Sequence, residues 1–327
     1  MNRSIIFTKL LNSMIIKNHA SSIQHLKINY YRMKRLIITI AILVAALSGL
    51  NLSAQTKHEF SVHAGGGLST LSYQLSSGDR SGGFGGDFGA GYTWFRYKEH
   101  ITSVGKVFRE YWGIHTGIGL GFYNAKSKLN NEKIITSKLY DSEKDLFDLH
   151  TTLSGYNETE KAIFLNIPVM AQFQMEPFYV NGGLKFGIPL NGKYKSKSAA
   201  LTNYGYYPKY GNYAKTQTFA GYGEFTGRKN NGTIDLGVST MLAFEAGMKW
   251  RIDEKHSLYT GAYFDYGLNN IAKGNHTPFV NYNPANAENF TINSVLTSYT
   301  DDSKPLTFTD KVKIMAIGIK VRVVLEK

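Results

Sequence analysis

The chain is predicted to be all-β, an eight-stranded antiparallel up-and-down transmembrane β-barrel with three long extracellular loops. Three observations carry that prediction. Eight segments alternate apolar with small or polar residues, the connections between them alternate long and short, and Trp94, Trp112 and Trp250 all fall at one end of the series. Period-two alternation marks a strand with two unlike faces. Outer-membrane barrels place short turns in the periplasm and long loops outside, with aromatic girdles where the strands leave the bilayer.

The amino terminus is set apart from the rest. Residues 1–54 carry seven basic side chains and no acidic one. Residues 1–32 precede Met33 and are read as an over-extended start. Met33-Lys34-Arg35, the apolar run Leu36 to Leu47 and Leu52-Ser53-Ala54 then supply the charged, apolar and cleavable regions of a secretory signal at 33–54. No Pro-rich, Ser-rich or charged linker divides 55–327, so that stretch is expected to be one barrel domain.

Composition narrows the classes further. Without the leader's seven, 30 of the 37 Lys and Arg remain against 24 Asp and Glu, so the formal charge is +6 rather than +13. The basis for a nucleic-acid partner goes with it. The absence of cysteine excludes disulfides, thiolate metal sites, a cysteine nucleophile and a lipoprotein anchor. After Ala54 no apolar run approaches the roughly 20 residues of a membrane helix, so a membrane protein of this sequence must cross with strands.

The eight segments are 58–70, 83–96, 110–124, 161–174, 177–190, 234–251, 256–269 and 311–325, each long enough to cross a bilayer at a tilt. In the third, Trp112, Ile114, Thr116, Ile118, Leu120 and Phe122 form one face and Gly113, His115, Gly117, Gly119, Gly121 and Tyr123 the other. Met175-Glu176 and Asp253-Glu254-Lys255 are tight turns, whereas 125–160, 191–233 and 270–310 are long. The outer connection 71–82 is shorter, and 97–109 is a longer inner turn than the pattern requires. A soluble eight-stranded barrel would carry Lys, Glu and Thr on its polar face. Here that face is crowded with glycine, as in a narrow lumen filled by side chains.

The same face places Asp87, Glu245 and Asp265 against Lys185, Lys249 and Lys320, with His63, His115 and Arg322 nearby. Buried charges survive by pairing, so these residues are expected to form an ion-pair network that plugs the lumen. The alternative sets several of them at the wet rims.

No motif points to a cofactor or metal. His58-Glu59 and His63 lack the four-residue helical spacing of a zinc protease. Gly83-Phe-Gly85 and Gly117-Ile-Gly119-Leu-Gly121 open no helix that could cradle a pyrophosphate. Some small outer-membrane barrels modify lipid A with a His and a Ser at the lipid-facing rim. His63 and His115 face the lumen instead, and spacing leaves open only loop pairs such as His150 with Ser142 or Ser154. The segment 191–233 is the most unusual, interleaving Tyr204, Tyr206, Tyr207, Tyr210 and Tyr213 with Lys209 and Lys215. Tyrosine offers rigid amphipathic contact and lysine attracts anions, as a surface for a glycan, lipopolysaccharide phosphate or a protein would require.

Phe164-Leu165-Asn166-Ile167-Pro168-Val169-Met170 resembles the aromatic-Leu-x-Ile-Pro strand of the PorT-like small outer-membrane barrels of the Bacteroidota. The resemblance implies an outer-membrane barrel of a family mostly without assigned function, one branch of which is accessory to protein secretion. Gly318-x-x-Val321-x-Val323 is similar to the signal read by the barrel-assembly machinery, although the chain ends Leu325-Glu326-Lys327 without the terminal aromatic.

The expectation is therefore a non-enzymatic, monomeric barrel in the bacterial outer membrane, without cofactor, serving a structural, adhesive or ligand-binding role through its outer loops. Its expected partners are outer-membrane lipids and lipopolysaccharide, the assembly machinery during biogenesis, and a glycan or protein at the loops. A secretion-accessory barrel is the alternative, followed by a lipid A-modifying enzyme and a small channel.

Overall fold

Period-two alternation becomes eight strands that pair in chain order and close into a ring. In the computed structural model these are β1 Gln55–Ser72, β2 Phe84–Ile101, β3 Val107–Lys128, β4 Asn157–Met175, β5 Phe178–Lys197, β6 Ser239–Arg251, β7 His256–Gly267 and β8 Lys313–Glu326. The structure describes residues 55–326 apart from 102, 104, 106, 132, 273–275, 303 and 305. The expected start segment and signal at 1–54 lie outside the described residues. Each strand is antiparallel to its neighbour, and β1 meets β8 from Glu59 opposite Glu326 to Ser72 opposite Lys313. Closure leaves no unpaired edge, which a bilayer core would not tolerate. Among the described residues no helix is long and apolar enough to cross a membrane.

Alternation decides which side chain goes where. Phe60, Val62, Phe88, Ile118, Leu184, Phe244, Ile319 and Val321 are exposed on the outer wall, while their strand neighbours Ser61, His115, Lys185, Glu245 and Lys320 are buried inside. At the short-turn end Trp112 lies against Phe173 with ring centroids 4.6 Å apart, Trp94 pairs with His58, and Trp250 donates from Nε1 to Thr260 at 2.9 Å. Pro168 of the resembling segment sits in β4 opposite Lys185. It has no N–H to donate, and the β3–β4 pairing skips from Val169 opposite Thr116 to Asn166 opposite Gly119.

The far end differs from a set of free loops. Alternation continues past the predicted strands, and the long connections fold on one another. Ile134–Tyr140, Leu146–Ser154, Ala200–Tyr207, Asn212–Ala214, Gly223–Thr226, Tyr299–Asp301 and Leu306–Thr307 join in one seven-stranded sheet. Its inner face buries Phe147, Leu149, Leu201, Tyr222, Phe279 and Phe308. Phe147 alone has Tyr207, Tyr222 and Tyr282 within 5.3, 5.8 and 5.4 Å, centroid to centroid. Below this cap Ile271 and Leu296, from the last long connection, join Leu71, Phe164, Met241 and Ile314 of the barrel in an apolar cluster at the mouth.

One irregularity redirects a face. A bulge offsets β4 against β5 between Ile163, opposite Asn191, and Phe164, opposite Pro189. Because the side-chain period is two, one extra residue turns the strand over. Before it Tyr179, Asn181, Lys185 and Gly187 of β5 point inward; after it Gly192, Tyr194 and Ser196 do, and Lys193, Lys195 and Lys197 point out.

Candidate functional site

The lumen is a stack of charged layers. In the middle Lys185 Nζ is 2.5 Å from Asp265, Arg322 Nη2 is 2.6 Å from Glu245, and Lys320 Nζ lies 3.4 Å from both Asp87 and Glu245. Three cations thus face three carboxylates, with His63 Nε2 3.4 Å from Asp87 and Tyr179 donating to Glu245 at 2.9 Å. His115 bonds Thr93 at 2.8 Å. These chains fit because the opposing positions have no side chain. A Cβ on Gly65 would stand 2.5 Å from Asp87 Oδ1, and one on Gly91 2.7 Å from His115 Cε1. The space left is about 20 Å³, room for about one water molecule.

Lys249 belongs to a separate layer. At the short-turn end it lies 3.0 Å from Glu59 and 2.6 Å from Glu326, and Lys57 lies 3.2 and 2.7 Å from the same two acids. The structure therefore puts Asp87, Lys185, Glu245, Asp265 and Lys320 in one network and Lys249 in another. Alternation alone does not single out Glu59, Glu326 or Lys57, which sit at strand ends where the pattern loses its partners.

A third charged group also escapes the sequence pattern as read above. Glu158 and Glu160 extend β4 beyond the apolar band, at a height where the outward residues are Asn157, Thr159 and Lys161. Both point inward. Glu158 accepts from Tyr156, from the Ser294 hydroxyl and from Val295 N at 3.2 Å, tying the last long connection to the wall. Glu160 accepts from Tyr73 at 2.9 Å and Ser127 at 2.5 Å. Burial first, and then the charge of Glu160, push the Glu158 carboxyl up to about 8. The signal is present in the sequence, since Glu158, Glu160, Ala162 and Phe164 keep one phase.

The outer face of the cap gathers the aromatic residues. Thr136, His150 and Tyr204 stand in register across three strands. The His150 ring lies 4.8 Å from that of Tyr204, tilted by 30°, and bonds Thr136 Oγ1 at 3.1 Å, and burial holds its imidazolium pKa below the usual histidine range. Tyr213 continues the row, 6.2 Å from Tyr204 and 4.9 Å from Tyr206, with Lys215 over its ring at 5.5 Å. The other predicted loop residues do different work. Tyr207 turns to Tyr222 and Asp141, with hydroxyl distances of 2.8 and 3.2 Å, while Lys209 and Tyr210 hold Asp145 at 2.8 and 2.6 Å. The partner of His150 is thus Thr136, and neither Ser142 nor Ser154 shares its row. Among the described residues no three His, Cys, Asp or Glu are grouped to hold a metal ion.

The fold and these layers define a closed eight-stranded antiparallel β-barrel, filled with paired charge and covered at one end by a folded cap. No protein-family model matches the chain, and neither does any curated protein. Among solved structures it is similar to Ail, the attachment invasion locus protein of Yersinia pestis, in a complex with the heparin analogue sucrose octasulfate. That likeness has 10% identity and a TM-score of 0.25 and covers 83% of this chain and 99% of that one. A major outer membrane protein from Thermus thermophilus gives 10%, 0.24, 83% and 99% in the same order. The outer membrane protein OprG from Pseudomonas aeruginosa gives 11%, 0.25, 85% and 99%.

Proposed function

We propose that the protein is a non-enzymatic outer-membrane barrel, exported by the signal at 33–54, whose cap binds a glycan on its outward aromatic face. The apolar outer wall and the tryptophans at the short-turn end are the features of a lipid-facing barrel with an interfacial girdle. The filled lumen gives solute no path, so the work falls to the cap. The observation that carries the reading is the row His150, Tyr204, Tyr213 on the outward face of a sheet whose inward face is buried. Flat rings held rigid by a sheet supply contact area to a sugar ring at little entropic cost. No catalytic residue is assigned.

Binding of the purified barrel to an oligosaccharide array tests this directly. Tyr204→Ala and Tyr213→Ala each remove one ring, worth about 1 kcal/mol in stacking contact, so each should weaken the bound glycan about fivefold. Tyr207→Ala loses core packing and is not a comparable control; Tyr140→Ala, on an exposed position of the same sheet away from the row, should bind as the parent does. Identical binding by the parent and both row variants would contradict the reading.

A further inference from the structure

Immediately beyond the apolar band, one side of the barrel carries lysines in three registered rows. Across Asp79–Gly82, β3, β4, β5 and Lys229–Thr233 the outward residues of the highest row are Asp79, Lys128, Asn157, Lys197 and Lys229. The next row is Ser81, Lys126, Thr159, Lys195 and Asn231, and the lowest is Asn124, Lys161, Lys193 and Thr233. Strands about 4.8 Å apart and residues about 3.3 Å apart make this a surface roughly 19 by 13 Å. All seven lysines are exposed. Asp79, at one corner, is the one acid in the rows, because Glu158 and Glu160 of β4 point inward. Among the described residues no acid forms a salt bridge with any of the seven, although Asp79 stands opposite Lys128 in the register.

This arrangement opposes the rule for sheets. Lys161 stands directly across from Lys193, and Lys197 directly across from Lys229, and like charges in that position repel. The bulge at Leu190, opposite the step from Ile163 to Phe164, creates the conflict. Without it Lys193, Lys195 and Lys197 would keep the inward phase of Lys185; with it they join Lys161 outside. A polyanion lying between the rows would remove the repulsion, and the intervening Asn, Ser and Thr can bond the hydroxyls around it. Directly below, Phe122, Ile163 and Leu190 turn outward on the same three strands.

We infer that this face seats the phosphate-bearing headgroup of a glycolipid of the outer leaflet, with its acyl chains lying along the apolar wall of β3, β4 and β5 beneath. Phosphate meets the lysines at the height where the hydrocarbon ends, and sugar hydroxyls meet the Asn, Ser and Thr between them. The inference rests on the outer-membrane reading and adds the lipid class and its place on the wall.

Lipid A binding by the purified barrel, followed by native mass spectrometry, tests it. The variant Lys161→Gln/Lys193→Gln/Lys197→Gln/Lys229→Gln removes the charge and keeps a polar side chain at each position. Near an anionic surface each lysine is worth about 1 kcal/mol, so the four together should cost at least tenfold in bound lipid A. Lys255→Gln, in a short turn at the opposite end, should bind as the parent does. Parent protein given dephosphorylated lipid A should show the same loss as the quadruple variant. Unchanged binding by a quadruple variant that still shows the heat-dependent gel mobility of a folded barrel would overturn the inference, as would equal binding of dephosphorylated lipid A. A parent chain that fractionates away from the outer membrane would overturn the outer-membrane reading, a result separable from the lysine comparison.

Discussion

Asp265→Leu is expected to destabilise the barrel by about 3–5 kcal/mol, the usual cost of leaving one member of a buried ion pair alone. Asp265 is the 2.5 Å partner of Lys185, and both are almost wholly buried. The leucine cannot compensate, because the ammonium it faces has left water and has lost its nearest acceptor. The double variant Lys185→Met/Asp265→Leu should recover most of that loss, since well-packed apolar residues of similar volume replace buried pairs at little net cost. Urea unfolding in detergent micelles, read by tryptophan fluorescence, separates the two cases. Equal losses in the single and double variants would mean that the pair matters for its shape rather than its charge.

The second large effect depends on pH. Glu158 keeps its proton in the folded protein to about 8, whereas in the unfolded chain a glutamate releases it near 4.3. Between those values the folded state holds a proton that the unfolded state has given up. Stability therefore falls as pH rises through that window and levels off above it. The upper limit of the fall is several kcal/mol at about 1.4 kcal/mol per pH unit, shared with neighbouring Glu160. Glu158→Gln has no proton to lose and should flatten the profile between pH 5 and 8. Ser294 and Val295 are the contacts at stake, so amide hydrogen exchange around 290–297 should quicken with pH in the parent, beyond the intrinsic base-catalysed rise, and lose that excess in the variant. An excess that persists in Glu158→Gln would assign the effect to another group.

The barrel was legible because its two faces differ in kind. Trp112 to Tyr123 alternates bulky apolar residues with glycine, histidine and tyrosine, and only a strand between lipid and a narrow lumen needs both. Inward placement of Asp87, Lys185, Glu245, Asp265 and Lys320 followed from the same phase. Their pairing did not, because register between strands is set by turns and bulges that local pattern does not encode. Lys193, Lys195 and Lys197 show the limit: the predicted segment ends at 190 and leaves them in a loop, whereas the strand runs on to Lys197 and the bulge at Leu190 turns them outward. The cap was hidden for a different reason. Its strands are short, and the burial of Phe147 or Leu201 depends on Phe279 and Phe308, more than seventy residues away along the chain. The tyrosines of 204–213 were recognisable as a surface by composition. Which of them turn outward, and which hold Asp141 or Asp145, is decided by pairing with Leu146–Ser154.

The cap is expected to face the cell exterior and the short turns the periplasm. The chain has no cysteine, so single cysteines can be placed without background, at Tyr213 in the cap and at Lys255 in the turn between β6 and β7. Intact cells treated with a membrane-impermeant maleimide should label Tyr213→Cys at once and Lys255→Cys only after the envelope is opened. Labelling of Lys255→Cys with protection of Tyr213→Cys would mean an inverted barrel. Protection of both until lysis would remove the protein from the cell surface and contradict the account.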